Sequence, residues 1–209
     1  MADRVGVIDY GGGNLRNVLN VLKALGHEGT LVSEANDLDA VDRLIFPGVG
    51  SFGDCVEDLD RKELRAPLLQ WLKEDRPYFG ICLGYQVLFG DSEESPGSQG
   101  LGFFEGKVVR FDDSHGLKIP HMGWNEVNPV DPDYYIWKGS SSPLHLYFVH
   151  SFYPQPSDSG LISSTAEYGN AFASSIARGN IFAGQFHPER SQDAGLNLIS
   201  NFLEGRPLS

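Results

Sequence analysis

The sequence predicts an α/β fold built on a mixed central sheet with an antiparallel extension. In the first half of the 209 residues, short β-rich runs alternate with glycine turns and with leucines at helical spacing. From about Lys107 onward, apolar residues recur at every second position and turn signals become frequent. No linker-like segment separates the halves, so we expect one domain over residues 1–209.

The first half predicts strands that alternate with helices. Four strands are expected, over residues 5–9, 30–32, 43–46 and 78–81. Four helices are expected, over residues 15–25, 54–59, 64–73 and 83–89. Asn14 suits the N-cap of the first helix. The three glycines before it lack GxGxxG spacing, which disfavours a dinucleotide site.

The second half predicts mostly strands and one closing helix. Strands are expected over residues 107–111, 146–152, 161–165, 172–177 and 181–186. A surface turn is expected over residues 154–160. After Ser191, apolar residues form one helical stripe, and Gly205 ends the helix.

Composition excludes several classes of function. The formal charge of −12 disfavours binding to nucleic acid or to an anionic membrane surface. The N-terminus lacks a secretion signal, and no apolar run is long enough to cross a bilayer, so we expect a cytoplasmic protein. The two cysteines form neither a disulfide framework nor a CxxC or Cys/His cluster, so no metal site is expected.

Residues 78–86 contain the first candidate catalytic residue. A predicted buried strand ends at Cys82, and a predicted helix follows directly. Gly80 and Gly84 flank it, as a sharp strand-to-helix turn requires, because larger side chains would collide there. The turn would hold the thiol against the amides of the helix N-terminus, which favour the thiolate. Cys55 has no such turn, and we interpret it as structural.

A second candidate site lies in the motif GQFHPE at residues 184–189. Pro188 disfavours the helical conformation at His187, so an extended segment is expected. Residues i and i+2 of an extended chain face the same side, so Glu189 would contact the imidazole of His187. Together with Cys82 they would supply a nucleophile, a base and an orienting carboxylate for acyl transfer.

Several motifs resemble those of one enzyme family, the class I (triad) glutamine amidotransferases. The family's motifs occur in its order along nearly the whole chain, as PGVG at 47–50, GICLGYQ at 80–86 and FHPE at 186–189. Within that family the chain is similar to the glutaminase subunits of imidazole glycerol phosphate synthase, through DYGGGNL at 9–15, PHMGWN at 120–125 and YFVHS at 147–151. The resemblance implies a flavodoxin-like three-layer sandwich.

The resemblance also implies catalytic roles. Cys82 would attack the side-chain amide of glutamine and form a thioester. His187 would move the proton to departing ammonia, and Glu189 would orient His187. The oxyanion would be met by the backbone N–H groups of Leu83 and Val49, the second after a peptide rotation in the glycine loop. Removing one such donor typically costs about 10²–10³ in turnover.

The same resemblance implies how L-glutamine would bind. Gln86 and Glu94 would contact it through their side chains, and an acidic residue at position 94 suits the α-ammonium group. Gly50, Ser151 and Phe152 would contribute backbone groups. No cofactor is implied.

A partner is implied as well, since ammonia released into neutral water would be protonated and lose its nucleophilicity. The resemblance implies a heterodimer with a separate (β/α)₈-barrel cyclase subunit, which makes imidazole glycerol phosphate and AICAR in histidine biosynthesis. The expected interface residues are Asn14, Asn17, His121, Trp124, Asn125 and Arg190.

Three positions depart from the family's commonest residues. Tyr85 replaces methionine, Phe152 replaces tyrosine, and Arg190 replaces lysine. None of these removes a catalytic group. Arg190 keeps the charge of lysine but changes the donor geometry.

Other functions stay open at the level of sequence. One alternative is a glutaminase that serves another synthase, such as the pyridoxal phosphate or anthranilate enzymes; the PHMGWN motif disfavours it. Another is a cysteine hydrolase or peptidase of related fold, which would not need Gln86 together with Glu94. A non-catalytic binding module would not need to keep Cys82, His187 and Glu189 together.

Overall fold

A computed structural model describes residues 3–113 and 116–205. The strands in these ranges are β1 (Val5–Ile8), β2 (Gly29–Val32), β3 (Arg43–Gly48), β4 (Tyr78–Cys82), β5 (Phe89–Ser92), β6 (Phe104–Arg110), β7 (His121–Pro129), β8 (Leu144–His150), β9 (Phe152–Pro156), β10 (Ile162–Tyr168), β11 (Asn170–Arg178) and β12 (Ile181–Gly184). The α-helices are α1 (Leu15–Ala24), α2 (Phe52–Arg61), α3 (Arg65–Lys73), α4 (Leu83–Gln86) and α5 (Gln192–Glu204).

A nine-stranded mixed sheet forms the centre of the fold, in the order β2-β1-β3-β4-β12-β11-β10-β7-β8. The first five strands of that order run parallel, and the others are antiparallel to their neighbours. A second sheet of three strands, β5-β6-β9, lies beside it. The predicted mixed sheet with an antiparallel extension is confirmed.

Helices cover both faces of the parallel strands, which explains why β1, β3, β4 and β12 are buried along their whole lengths. On one face, Val7 shares an apolar cluster with residues of α1 and α5. On the other face, the next residue along the strand, Ile8, packs in a cluster with residues of α2 and α3. The result is a sandwich of helices, sheet and helices.

The strand order determines where a site can form. The carboxyl ends of β1, β3, β4 and β12 lie side by side at one edge of the sheet, with Gly48 in register with Cys82 and Gly184 in register with Ile81. Parallel sheets bind ligands at this edge, beyond the carboxyl ends of the strands. The loops after these strands carry the glycine turns and the histidine motif that the sequence analysis identified.

Several predicted elements were wrong in detail. The helix after Cys82 ends at Gln86, because Phe89 begins β5 and pairs with Phe104. The expected strand over residues 146–152 is divided at Ser151 into β8 and β9, which belong to different sheets. Residues 154–160 are not simply a surface turn, since β9 extends to Pro156.

Two strands, β5 and β7, were not predicted. Strand β7 exposes alternate residues, and positive φ at Gly123 interrupts its extended pattern.

None of the helices in the described ranges is long and apolar enough to cross a bilayer.

Candidate active site

The turn at Cys82 has the strained geometry that the sequence predicts. Cys82 has φ +52° and ψ −100°, a conformation that costs about 1–3 kcal/mol for a residue with a side chain. A Cβ on Gly80 would collide with the carbonyl oxygen of Gly84, and a Cβ on Gly84 would collide with the carbonyl oxygen of Phe46. Both glycines are therefore required by the backbone packing around the turn.

The thiol of Cys82 faces a cavity of about 300 Å³ at the carboxyl edge of the sheet. The cavity is lined by Val49, Gly50, Cys82, Leu83, Gln86, Glu94, Val149, His150, Ser151, Phe152 and His187. Nine of these eleven residues are ones that the sequence analysis named as site residues. Segments that are far apart in sequence thus meet around one pocket.

The imidazole of His187 is buried between the cavity and Glu189. Its Nδ1 lies 2.9 Å from Oε1 of Glu189, and both side chains are at most 2% exposed. A carboxylate accepts, so Nδ1 carries the hydrogen and Nε2 is directed to the cavity side. Within the described residues, Nε2 makes no hydrogen bond of good geometry.

The charges around His187 favour its protonated form. Burial opposes protonation, but the negative charge of the neighbouring Cys82 sulfur and the hydrogen-bonded Glu189 carboxylate outweigh burial and raise the pKa of His187. The imidazolium is thus the form of His187 that this environment favours. It can donate a proton to a leaving group, beside the sulfur that would act as the nucleophile.

The predicted contact between His187 and Glu189 is present, but the extended segment predicted to produce it includes only His187. His187 is extended, with φ −107° and ψ 90°, and Pro188 then begins a short 3₁₀ helix that ends at Arg190. Proline favours the first position of a helix, where its missing N–H costs nothing. The hydroxyl of Ser191 donates to the carbonyl of His187 at 2.7 Å and holds this turn.

Asn14 contacts Glu189 and does not cap α1 with its side chain. Its side chain makes no cap hydrogen bond. Instead, Nδ2 of Asn14 donates to Oε1 of Glu189 at 3.4 Å. The glycine turn after β1 therefore contacts the carboxylate that orients His187, a role that N-cap statistics do not suggest.

The glycine loop after β3 holds its candidate oxyanion donor away from the cavity. The N–H of Val49 donates to the hydroxyl of Tyr10 at 3.2 Å, and that hydroxyl donates to the carbonyl of Val49 at 3.0 Å. Gly50 follows with φ +110° and no atom near its Cβ position. Val49 must therefore rotate its peptide before its N–H can bind an oxyanion.

The opposite wall of the cavity is held by side-chain amides. Nε2 of Gln86 donates to the carbonyl of Phe152 at 2.9 Å and to Oε1 of Gln185 at 3.1 Å. Nε2 of Gln185 in turn donates to Sγ of Cys82 at 3.4 Å. Gln185 was not predicted from the sequence, although the i, i+2 relation applied to Glu189 would have placed it on the same side of the chain as His187.

Glu94 reaches the cavity from the loop between β5 and β6. Its Oε2 accepts from the N–H of Phe52, the first residue of α2, at 2.7 Å. A carboxylate is favoured at this position because the N-terminus of a helix carries partial positive charge. The bond fixes Glu94 against the cavity, where a ligand's ammonium group would find a negative charge.

A pair of buried histidines supports the wall next to Phe152. Nε2 of His150 lies 3.0 Å from Nδ1 of His121, and Nδ1 of His150 lies 2.9 Å from the carbonyl of Phe152. Burial lowers the pKa of His150 to about 3 and that of His121 to about 4, so both rings are neutral near pH 7. Each Nδ1 then carries the hydrogen that its bond requires.

The expected interface residues are divided between the surface and the interior. Asn17, Trp124 and Arg190 are exposed, and the Arg190 guanidinium lies over the ring of Tyr147, 4.4 Å from its centroid. His121 is only 3% exposed and stacks on the ring of Tyr168. It therefore lies beneath that surface, and its Nε2 is 3.2 Å from Nδ2 of Asn125, which is partly exposed.

Comparisons with known proteins agree with this arrangement. The family model named glutamine amidotransferase class-I matches residues 6–205. Imidazole glycerol phosphate synthase subunit HisH of Methylococcus capsulatus is 43% identical over 216 residues, which cover 98% of each protein. The chloroplastic imidazole glycerol phosphate synthase hisHF of Arabidopsis thaliana is 45% identical over 201 residues, which cover 95% of this chain and 34% of that protein.

Solved structures support the same fold. PurLQS from Thermotoga maritima superposes with a TM-score of 0.78 at 21% identity, over 97% of this chain and 98% of that one. A structure described as a glutamine amidotransferase superposes with a TM-score of 0.74 at 22% identity, over 97% and 99%. At this level of identity the likeness concerns the fold alone.

Proposed function

The chain belongs to the class-I glutamine amidotransferases, and from that premise we propose that it is the glutaminase subunit of an imidazole glycerol phosphate synthase. It hydrolyses L-glutamine to glutamate and ammonia and passes the ammonia to a separate subunit. The observation that carries this proposal is the convergence of Cys82, His187 and Glu189 on one cavity that also contains Gln86 and Glu94. One domain holds all of these groups.

The reaction proceeds through two acyl transfers. The sulfur of Cys82 attacks the side-chain amide carbon of glutamine, and a tetrahedral intermediate with a negative oxygen forms. His187 gives its proton to the amide nitrogen, and the C–N bond breaks. Ammonia departs, and a glutamyl thioester remains on Cys82. Water then attacks the thioester while His187 takes up a proton from that water. Glutamate is released, and the free sulfur of Cys82 is restored. Glu189 orients the imidazole throughout.

The oxyanion is stabilised by two backbone N–H groups. Leu83 begins the helix after the nucleophile and lines the cavity. Val49 supplies the second N–H after it leaves the Tyr10 hydroxyl. The hole is complete only after this rotation, so hydrolysis is slow until the loop changes conformation.

Glutamine binds between the acidic and the amide walls of the cavity. Its α-ammonium group faces Glu94, its other polar groups contact Gln86 and the backbone of Gly50, Ser151 and Phe152, and its side-chain amide points at Cys82. The polar groups exclude a purely apolar ligand, because they would then be buried without partners.

The partner is a cyclase subunit with a (β/α)₈ barrel that receives the ammonia, and both are cytoplasmic. Similar bacterial proteins are named as subunits, and in the Arabidopsis protein the similar region covers 34% of one longer polypeptide. The surface around Asn14, Asn17, Trp124, Asn125 and Arg190 covers the mouth of the barrel. A sheltered path matters because free ammonia becomes protonated in neutral water.

The test is glutamine hydrolysis by the purified chain with and without a candidate cyclase barrel and its nucleotide ligand. Hydrolysis should be strongly stimulated by the barrel with its ligand. Cys82→Ala should abolish hydrolysis but leave synthesis from free ammonium intact in the complex. Hydrolysis that survives in Cys82→Ala would refute the nucleophile, and absence of stimulation by any cyclase barrel would refute the partner.

A further inference from the structure

A buried glutamine contacts the reactive sulfur and has no part in the mechanism above. Gln185 follows the last residue of β12 and has 0% of its surface exposed. Its backbone N–H donates to the carbonyl of Ser174 at 2.8 Å, which ties the residue to the end of the sheet. Its side-chain Nε2 lies 3.4 Å from Sγ of Cys82.

The neighbouring hydrogen bonds determine which end of the Gln185 amide faces the sulfur. A carbonyl can only accept, so the group of Gln86 that contacts the carbonyl of Phe152 must be its NH₂. The same NH₂ contacts Gln185, which must therefore present its oxygen to Gln86. The NH₂ of Gln185 is left facing Cys82. This assignment follows from the hydrogen-bond network and needs no assumption about the sulfur.

We propose that Gln185 is a further catalytic residue, whose amide N–H donates to the Cys82 thiolate and holds the sulfur charged and aimed at the substrate. This inference rests on the proposed role of Cys82 as the nucleophile. A hydrogen bond to a charged acceptor is roughly twice as strong as one to a neutral acceptor, so the donor favours thiolate over thiol. The sulfur is thereby held from the side opposite the exposed glycine loop.

The bond also links substrate binding to the nucleophile. Gln86 lines the cavity where glutamine binds and holds the oxygen of Gln185. Because Gln185 has one rigid amide plane, its oxygen and its NH₂ move together. The chain from Phe152 through Gln86 and Gln185 to Cys82 therefore sets the position of the sulfur relative to the substrate-binding wall.

Other ionisable groups near the sulfur remain the same in the variants that test this role. His187, His150 and Glu94 line the cavity with Cys82. Glu189 lies behind His187, and Tyr10 approaches from the loop side. A change in the reactivity of the sulfur on replacement of Gln185 by an uncharged residue can thus be assigned to the lost amide donor.

The test measures the rate of Cys82 alkylation by iodoacetamide as a function of pH. The background is Cys55→Ala, which leaves one thiol, and the variants are Gln185→Glu and Gln185→Leu. Glutamate keeps an oxygen for Gln86 but replaces the donor with an acceptor. The control is Gln99→Glu, the same change at an exposed position of the loop between β5 and β6.

The pH midpoint of alkylation should rise by about one to two pH units in both Gln185 variants, and the rate measured at a pH below both midpoints should fall about 10- to 100-fold. In Gln185→Glu, kcat for glutamine should fall more than KM rises, because Gln86 keeps its acceptor. Gln99→Glu should behave as the background does. If Gln185 only fills space, the alkylation midpoint should stay unchanged in Gln185→Leu. The rise in Gln185→Glu also includes repulsion between the new carboxylate and the thiolate, so the uncharged variant is the diagnostic one.

An unchanged midpoint in a folded Gln185 variant, judged by near-ultraviolet circular dichroism, would overturn the inference. If Gln185→Leu does not fold, Gln185→Met decides, since it is uncharged, of similar length and lacks the donor. Gln185→Asn, which keeps the amide but shortens its reach, gives a third measurement. Failure of the proposed function would look different: either the unsubstituted chain would not hydrolyse glutamine with any barrel, or Cys82→Ala protein would still hydrolyse it, whatever stands at position 185.

Discussion

Two glycine turns lie side by side at the active edge of the sheet and are built in opposite ways. In the turn after β4, Cys82 and its flanking glycines are all buried, and the glycines are packed against backbone atoms. In the loop after β3, Val49 is 43% exposed and Gly50 has no atom near its Cβ position. The two are adjacent, since Gly48 is in register with Cys82.

The difference separates what is rigid in the site from what can adjust. The backbone at Cys82 has little freedom, because any movement of its turn would push backbone against backbone. The N–H of Val49, the proposed oxyanion donor, is held by one tyrosine hydroxyl, and hydrogen bonds of this kind contribute only about 1 kcal/mol each. A partner that binds over the loop can therefore move the N–H of Val49 without disturbing the turn at Cys82. This gives a physical basis for the proposed stimulation of glutamine hydrolysis by a partner subunit.

The largest effect is expected from removing the donor in the adjustable loop. Val49→Pro deletes the N–H, and kcat in the stimulated complex should fall about 10²–10³-fold with little change in KM, because the donor acts on the transition state. Val49→Ala keeps the N–H and is the matched control. Equal kcat in the two variants, measured under saturating glutamine, would show that another group binds the oxyanion.

The rigid turn is tested by Gly84→Ala. The added Cβ overlaps the carbonyl oxygen of Phe46, so the free energy of unfolding should fall by about 3 kcal/mol. Denaturant unfolding measures this, with Gly50→Ala as the contrast, because Gly50 is exposed and unpacked and its substitution meets backbone strain alone. A Gly84→Ala protein as stable as the wild type would mean that the turn can relax after all.

A smaller effect in the opposite direction is expected at the tyrosine that holds the loop. Tyr10→Phe removes both hydrogen bonds to Val49 and keeps the ring packed against Phe46. Loss of about 1–2 kcal/mol from the resting loop should raise glutamine hydrolysis by the isolated chain about 5- to 30-fold. Stimulation by the barrel should shrink by the same factor. Unchanged basal hydrolysis would show that the hydroxyl does not restrain the loop.

The smallest effect is expected at the other cysteine. Cys55 lies on the buried face of α2, and burial raises the pKa of its thiol. Cys55→Ala should leave glutamine hydrolysis unchanged and lower the free energy of unfolding by about 1 kcal/mol, the cost of one small buried group. Loss of activity in a folded Cys55→Ala protein would mean that the thiols have been assigned to the wrong roles.

Much of the site could be predicted because it consists of local turns. The glycines around Cys82, the strand before it and the contact between His187 and Glu189 are all encoded within a few residues, where sterics leave few choices. Strand β5 escaped prediction because residues 87–89 are apolar and continue the helical pattern as far as Gly90, whereas pairing with β6 already begins at Phe89. The pairing partner is many residues away, so no local pattern reports it.

By itself, the sequence determined the strand-and-helix alternation, the strained turn at Cys82 and the three residues of the proposed triad, Cys82, His187 and Glu189. These depend on short-range sterics and on residue chemistry. Only the tertiary structure decided that Tyr10 holds the N–H of Val49, that Gln185 donates to the sulfur and that Asn14 contacts Glu189 rather than capping its helix. Each of these bonds joins loops from different strands, and their geometry exists only once the parallel strands bring their carboxyl ends to one edge.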